Sequence, residues 1–313
     1  MQKMKILITG ATGFIGQHLI EELKGDDFFI RIIKRNSSSE LRSTNTNFET
    51  YISDISDKSA LEQAFQNIDV VINLAVEKND STTIESTNLK GVQNIIELSE
   101  KYNIKKIIHL SSISIFGMKY SRKKFIVGDD FPCDPKTKYG ISKLRSEILL
   151  KEFANKNTTE VIILRSGIVF GEYQSSNYLL DFLKRVKSGV AIPRLKNSMV
   201  NYVYVKDVTH VIRFFLENTT GNKVITVSES IPFSEFLSLT ANTLNVSCKI
   251  NNVPSLLFVF LEIFNYFGLE KLKEKFHSIS NCIEYDDAFM KNVVTYKYGI
   301  SRGVKKTIEY YNL

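Results

Sequence analysis

The sequence predicts an α/β fold: a doubly wound parallel sheet with helices on both faces, followed by a smaller C-terminal α/β portion. Three observations carry that expectation. Short β-branched runs alternate with longer helical patterns through the first half of the chain. The strand patterns are nearly continuous apolar runs, as expected where helices cover both faces of a sheet. A glycine-rich turn, G-A-T-G-F-I-G from Gly10 to Gly16, stands between the first strand pattern and the first helical one.

The elements follow in order. Lys5–Thr9, Phe29–Lys34, Val70–Leu74, Lys106–Leu110 and Val161–Leu164 read as strands. Ile15–Lys24, Lys58–Gln66, Leu89–Lys101 and Tyr139–Asn155 read as helices between them, which implies right-handed βαβ units. After about Gly171 the pattern changes. Helix Tyr178–Lys187, a loop around Pro193, strand Asn201–Val205, helix Asp207–Glu217 and strand Lys223–Val227 follow. Phe233–Leu244 and the aromatic-rich Leu256–Phe267 are helical in pattern. The division drawn from this is a dinucleotide-binding domain over 1–172, its sheet completed by 200–217, and a smaller substrate-binding portion over 173–199 and 218–313.

Composition is that of a soluble globular chain: 313 residues, 43% hydrophobic and 24% charged, with a net charge of +7. The lysines and arginines are scattered, densest at Lys119 to Lys124. Such a balance suits an anionic small ligand, a nucleic acid or an acidic membrane surface alike. Cys133, Cys248 and Cys282 are odd in number and far apart, with neither metal spacing nor a disulfide framework, which fits a reducing cytoplasm. No cleavage-site pattern follows Met1. The longest apolar stretch, Val253 to Leu269, is interrupted by Glu262 and Asn265 and falls short of a membrane span; it reads as an amphipathic helix that covers a core or rests on a membrane, the core being favoured because its flanks are not strongly basic.

In the glycine turn each glycine has a job. Gly10 permits a tight turn after the strand, Gly13 lets backbone approach a pyrophosphate, and Gly16 lets the helix pack closely. The N–H groups and dipole of the helix start then favour phosphate, with Thr12, Phe14 and Ile15 alongside. The second strand pattern ends K-R-N-S, Lys34 to Ser37, with no carboxylate for the adenosine ribose. Arg35 there suits the 2′-phosphate of NADP, or is an exposed residue past a sheet edge.

The second strong feature is Y-G-I-S-K, Tyr139 to Lys143. Positions i and i+4 share a helix face, so phenol and ammonium can both face a cofactor. A neighbouring ammonium favours phenolate and brings the phenol's proton exchange towards neutral pH. The pair can then take a proton from an alcohol as hydride leaves, or give one to a carbonyl as hydride arrives.

With its G-x-x-G-x-x-G spacing and this tyrosine–lysine pair, the chain resembles the extended short-chain dehydrogenase/reductase family, the NAD-dependent epimerases and dehydratases of nucleotide sugars. The resemblance implies a Rossmann-type fold and NADP or NAD as cofactor, with NADP favoured by the second-strand end. It implies that Tyr139 and Lys143 are catalytic and that Lys143 holds the nicotinamide ribose. Asp54, in S-D-I-S-D with Ile55 beside it, matches the family's adenine-contacting aspartate. Asn73-Leu74-Ala75 matches the strand end lining the cofactor, although many members have His where Asn73 stands. Asn88 matches the asparagine that supports the central helix.

Counting back from Gly117 in L-S-S-I-S-I-F-G, the family's third catalytic residue falls on Ser112, whose hydroxyl would stabilise charge on the substrate oxygen. Ser111 would bond backbone near the cofactor. Dehydratases of the family carry Thr-Asp-Glu where Ser112, Ile113 and Ser114 stand. An isoleucine can neither donate nor accept a proton, so the chemistry of these side chains disfavours dehydration. Epimerase, with hydride out and back, and reductase, with hydride moved once, both remain. So do a reductase of a non-sugar carbonyl and a non-catalytic NADP-binding regulatory member.

On the substrate side, Asn177-Tyr178-Leu179 resembles a segment that meets the nucleotide diphosphate. Arg194, Lys196 and Asn201 lie on a stretch that often reaches the nucleotide, and Ser114 lies beside Ser112. Arg165 matches a family arginine, and Asp207 reads as a helix N-cap or a structural hydrogen-bond partner. The expectation is a cytoplasmic enzyme of surface-polysaccharide assembly acting on a nucleotide sugar. It needs no nucleic acid, metal or stable membrane insertion, and homodimerisation is a family habit.

Overall fold

The structure is a computed structural model; it describes residues 3–25, 28–36, 41–42, 48–78, 80, 82–117, 124–174, 178–194, 197–252 and 281–313. Its elements begin β1 (Met4–Thr9), α1 (Phe14–Glu22), β2 (Phe28–Lys34), β3 (Phe48–Ile52), α2 (Lys58–Phe65), β4 (Val70–Asn73), α3 (Gly91–Lys101), β5 (Lys106–Ser112) and β6 (Phe125–Val127). They continue α4 (Lys138–Lys156), β7 (Glu160–Ser166), β8 (Ile168–Phe170), α5 (Tyr178–Lys187), β9 (Ile192–Arg194), β10 (Met199–Tyr204), α6 (Val205–Glu217) and β11 (Lys223–Val227). β12 (Glu229–Pro232), α7 (Phe233–Thr243), β13 (Ile250–Asn252), β14 (Ile283–Tyr285) and α8 (Gly299–Tyr310) complete them.

Seven strands form one sheet in the order β11-β7-β5-β4-β1-β2-β3, every pairing parallel. The order reverses between β1 and β4, the point at which open α/β sheets take their ligands beyond the strands' C-terminal ends. Side chains alternate between two dry layers. Ile6, Ile8, Ile72, Ile108 and Ile162 pack under Leu19 of α1 and Val211 and Phe215 of α6. Leu7, Val71, Ile107 and Ile163 pack under Leu61 of α2, Ile95 of α3 and Leu150 of α4. Burial on both faces is why the strands lack polar alternation.

Beyond the large sheet lie a three-stranded sheet, β12-β10-β8, and the two-stranded ladders β13-β9 and β14-β6. Phe170, Leu183, Tyr202, Phe236 and Val304 form a core there. Among the described residues no helix is long and apolar enough to cross a membrane.

Several expectations change. β3 is a seventh strand at the open edge, where Ile52 is 59% exposed. The segment around Pro193 is a strand, because β13 pairs with it in parallel. The 200–217 segment does not complete the large sheet: β11 takes the edge beside β7, and β10 joins the small sheet. From that segment α6, joined by Val203 of β10, packs into the main layers. α6 starts at Val205 with Tyr204 as its cap, so Asp207 is not an N-cap. Its carboxylate instead accepts from the N–H groups of Tyr298 and Gly299, both at 2.9 Å, and seats the start of α8. The helix expected over Leu256–Phe267 lies outside the described residues.

Candidate active site

The glycine turn sits at the reversal point. Gly10 has φ +70°, and a Cβ there would come within 2.7 Å of the backbone of Leu74 and Ala75. A Cβ on Gly16 would meet Gly10 O at 2.3 Å. Both positions need glycine, one for conformation and contact, the other for contact alone. Gly13 caps α1 and no side chain bonds into that cap. The first-turn N–H groups therefore lie beside a cradle of bare backbone, an arrangement that fits a dinucleotide diphosphate. Thr12 is half-buried beside it, and Phe14 and Ile15 lean on the small core.

Other expected cofactor residues divide. Arg35 stands exposed just past β2, and residues 34–36 contain no carboxylate. Asp54 turns one carboxylate oxygen back on its own loop, accepting from Ser56 N at 2.8 Å and Ser56 Oγ at 2.6 Å. The Ile55 side chain is core, packed where Gly91 leaves room on α3. Leu74 is buried in the sheet core, while Ala75 at the strand end is half-buried. Asn88 lies in a π-helical turn, Glu85–Lys90, that runs into α3. Its amide accepts from Glu77 N and donates to Glu77 O, both at 2.8 Å, and donates to Ser142 Oγ at 3.0 Å. It thus pins the segment after β4 to α4.

At the ends of β1, β4 and β5 a polar chain crosses the sheet. Thr9 Oγ1 donates to Asn73 Oδ1 at 2.6 Å, so the Asn73 amide must donate to His109 Nδ1 at 3.0 Å. That leaves the ring proton on His109 Nε2. Burial holds this imidazole well below its usual range, and Lys143 adds to the effect, so it is neutral at pH 7.

The catalytic candidates converge on the end of β5. Thr137 Oγ1 caps α4 through Gly140 N at 3.0 Å. Gly140 admits the helix close to Ser114 O, which a Cβ would approach to 2.8 Å. Lys143 Nζ donates to Leu110 O at 2.7 Å. Ser112 Oγ accepts from Ser114 N at 3.2 Å, which leaves its proton free to turn towards the neighbouring Tyr139 phenol. Burial pushes that phenol up to about 12, with the Ser112 hydroxyl acting against it. Burial brings Lys143 down to about 7, helped by Lys78 and opposed by Glu147. The Lys78 ammonium lies 5.7 Å from the centre of the Tyr139 ring. Ser114 Oγ is buried with no partner, and Ile113 leans on an apolar cluster with Phe116 and Tyr285.

Ser111 departs from expectation: its hydroxyl is buried under α4 and donates to Glu147 Oε1 at 2.5 Å. Arg165 also turns inward to Glu147. On the substrate side, Asn177 and Lys196 lie outside the described residues. Arg194 is buried with its guanidinium 4.1 Å from the centre of the Phe233 ring. Asn201 Oδ1 accepts from Ser230 Oγ at 2.7 Å, while its buried Nδ2 has no partner. Sequence reasoning missed Lys78 and Glu147. Lys78 is a loop residue without a pattern. Glu147 continues the four-residue spacing of Tyr139 and Lys143, a signal that was there to find.

A parallel sheet with a glycine cradle at its reversal point and a Ser–Tyr–Lys set two strands away defines a dinucleotide-dependent oxidoreductase type of fold. Residues 6–228 match the NAD dependent epimerase/dehydratase family, and the chain belongs to that family. It is 31% identical over 225 residues to N-acetyl-alpha-D-glucosaminyl-diphospho-ditrans,octacis-undecaprenol 4-epimerase of Escherichia coli O157:H7, spanning 69% of this chain and 64% of that relative. The fold is similar to UDP-glucose 4-epimerase of Thermotoga maritima solved with UDP-glucose, with a TM-score of 0.76, 21% identity and 99% of each chain covered. It is also similar to the Bordetella bronchiseptica enzyme WbmG in complex with NAD, with a TM-score of 0.76, 19% identity, and 99% of this chain and 94% of that one covered.

Proposed function

We propose that this chain is a 4-epimerase of a hexose linked to a nucleotide diphosphate. A nicotinamide cofactor, held by the glycine turn Gly10–Gly16 and by Lys143, would supply the hydride acceptor and donor for the sugar carbon, the return to the opposite face inverting it. Tyr139 takes the hydroxyl proton as the carbonyl forms and gives it back on the return. Ser112 donates to the substrate oxygen, and the Lys143 ammonium favours phenolate at Tyr139 and holds the nicotinamide ribose. The observation that carries the reading is the gathering of Ser112 at the end of β5 with Tyr139 and Lys143 of α4, Lys143 being anchored to Leu110 O at 2.7 Å, two strands from the glycine cradle.

Dehydration is disfavoured because Ile113 offers only hydrocarbon and Ser114 only a hydroxyl where an acid and a base would be needed. For the cofactor, the family and its NAD-bound relatives support NAD. Exposed Arg35, with no carboxylate at 34–36, supports acceptance of NADP as well. The same reading includes a cytoplasmic enzyme of surface-polysaccharide assembly, paired through helices that include α4, where Ile141 and Ile148 are exposed.

The test incubates the protein with UDP-glucose, UDP-galactose and UDP-N-acetylglucosamine, with a trace of NAD or NADP. Proton NMR should show both 4-epimers, with no net change in reduced-nicotinamide absorbance. Stoichiometric loss of NADPH would replace this reading by a reductase, and a 4-keto-6-deoxy product by a dehydratase. The undecaprenol-diphosphate sugar of the Escherichia coli relative is the second substrate to assay; turnover of that substrate alone would move the carrier from nucleotide to lipid.

A further inference from the structure

Glu147 and Arg165 are completely enclosed, at 0% and 2% exposure of their side chains, yet neither takes a direct part in the proposed chemistry. Arg165 Nη2 donates to Glu147 Oε2 at 2.9 Å, and its Nε lies 3.2 Å from both carboxylate oxygens. Ser111, the neighbour of Ser112, donates to the same carboxylate. Arg165 Nη1 donates to the carbonyl of Asp129 at 2.5 Å, and its guanidinium lies 5.1 Å from the centre of the Phe116 ring. Phe116 closes the 3-10 turn Ile113–Phe116, which carries Ser114.

Four pieces of the site therefore meet at one ion pair: α4 through Glu147, the end of β5 through Ser111, the turn behind Ser112 through Phe116, and the loop after β6 through Asp129. We propose that Glu147 and Arg165 are positioning residues, which set Ser112 against Tyr139 and place a negative charge one helical turn beyond the Lys143 ammonium. Glu147 stands one helical turn beyond Lys143 and two beyond Tyr139. Its carboxylate is the negative charge that supports the ammonium. Lys78 from the loop after β4 opposes it, His109 of β5 is neutral, and Tyr139 shares the helix. Arg165 tempers the carboxylate from behind, and Lys151 lies 3.8 Å from it. A buried pair adds little to stability compared with apolar residues of the same volume, so its value here lies in geometry and charge.

The inference rests on the proposed redox chemistry, and one of its readouts does not need it. The test replaces both members together, Glu147→Leu with Arg165→Met, which leaves no unpaired charge. The folded double variant should lose at least tenfold in kcat with KM for the sugar changed less than threefold. Its activity should also decline at lower pH on the basic side. In ¹³C-lysine-labelled protein without substrate, the Lys143 titration should move to lower pH than in wild type. A folded double variant with kcat within twofold and an unmoved Lys143 titration overturns the proposal. If the double variant does not fold, Ser111→Ala removes one donor to Glu147 and leaves the ion pair in place. It should lower kcat at least threefold at unchanged KM, and an unchanged kcat overturns the proposal. If wild type turns over no nucleotide sugar, the epimerase reading falls and the Lys143 titration still decides this one.

Discussion

Lys143 Nζ donates to the carbonyl oxygen of Leu110 at 2.7 Å, so the central helix is fastened to the strand one residue ahead of the two serines. The bond anchors the ammonium without neutralising it. With Lys78 nearby and the site dry, the group falls to about 7, far below a free lysine. The sign of its effect on stability follows. Below pH 7 the lysine is charged in both folded and unfolded chains, and the burial penalty is complete. As pH rises from about 7 towards the unfolded value near 10.5, the folded chain loses its proton first and gains stability. In the cofactor-free protein, Lys143→Met removes that slope. Denaturant unfolding at pH 6.5 and pH 9.5 should show wild type improving relative to the variant as pH rises; parallel behaviour of the two would contradict it.

Tyr139→Phe keeps the ring under the Lys78 ammonium and removes the hydroxyl beside Ser112. Loss of a general acid–base group costs about 10²–10⁴ in rate. The expected outcome is a kcat lower by about a thousandfold, with cofactor affinity within a few-fold of wild type. Turnover followed by NMR and cofactor binding followed by fluorescence check it.

The cradle can be tested at Gly16, where a methyl group would press on Gly10 O at 2.3 Å with no flexible neighbour to yield. Gly16→Ala should cost about 1–3 kcal/mol and weaken cofactor binding at least tenfold, because the turn beneath the diphosphate must shift. Gly128→Ala, with nothing within 4 Å of the added carbon, is the control and should leave both measurements near wild type.

What the sequence disclosed was what is local. The glycine spacing, the apolar runs of β1, β4 and β5, and the i, i+4 relation of Tyr139 and Lys143 depend on neighbours in the chain, and they read correctly as elements. Choices made between distant segments did not read. β9 is a strand only because β13 pairs with it, and β10 and β11 carry similar apolar runs although they enter different sheets. The two serines show the same limit at one site. Both neighbours lie on α4, yet Ser111 is committed to Glu147 while Ser112 stands by Tyr139, two helical turns earlier. Nothing in the letters says which position of the helix meets which serine.

Ser114 supplies a test of the substrate side. Its Oγ is buried without a partner, so the fold gains nothing from the hydroxyl. Ser114→Ala should leave stability unchanged or raise it by up to about 1 kcal/mol. If the hydroxyl serves the sugar, KM should rise several-fold. Unchanged KM, measured with the epimerised substrate, would remove Ser114 from the binding set.

The far end of β5 offers the opposite case, a buried charge remote from chemistry. Lys106 Nζ lies 3.1 Å from Glu160 Oε2 and donates to the carbonyls of Phe215 and Asn218, the latter at 2.7 Å. It thereby closes the C-terminal end of α6, where carbonyls lack helical partners. Lys106→Met would leave the Glu160 carboxylate without its cation and those carbonyls unpaired, in surroundings only 7% and 10% exposed at the two side chains. Breaking a buried pair by removing one member costs about 3–5 kcal/mol. Glu160 keeps its bond from Thr220 N at 2.7 Å, which places the expected loss at the lower end of that range. Urea unfolding should show that loss, while kcat at a temperature where the variant is folded stays within twofold of wild type, because the contact lies at the opposite end of the strand from Ser112.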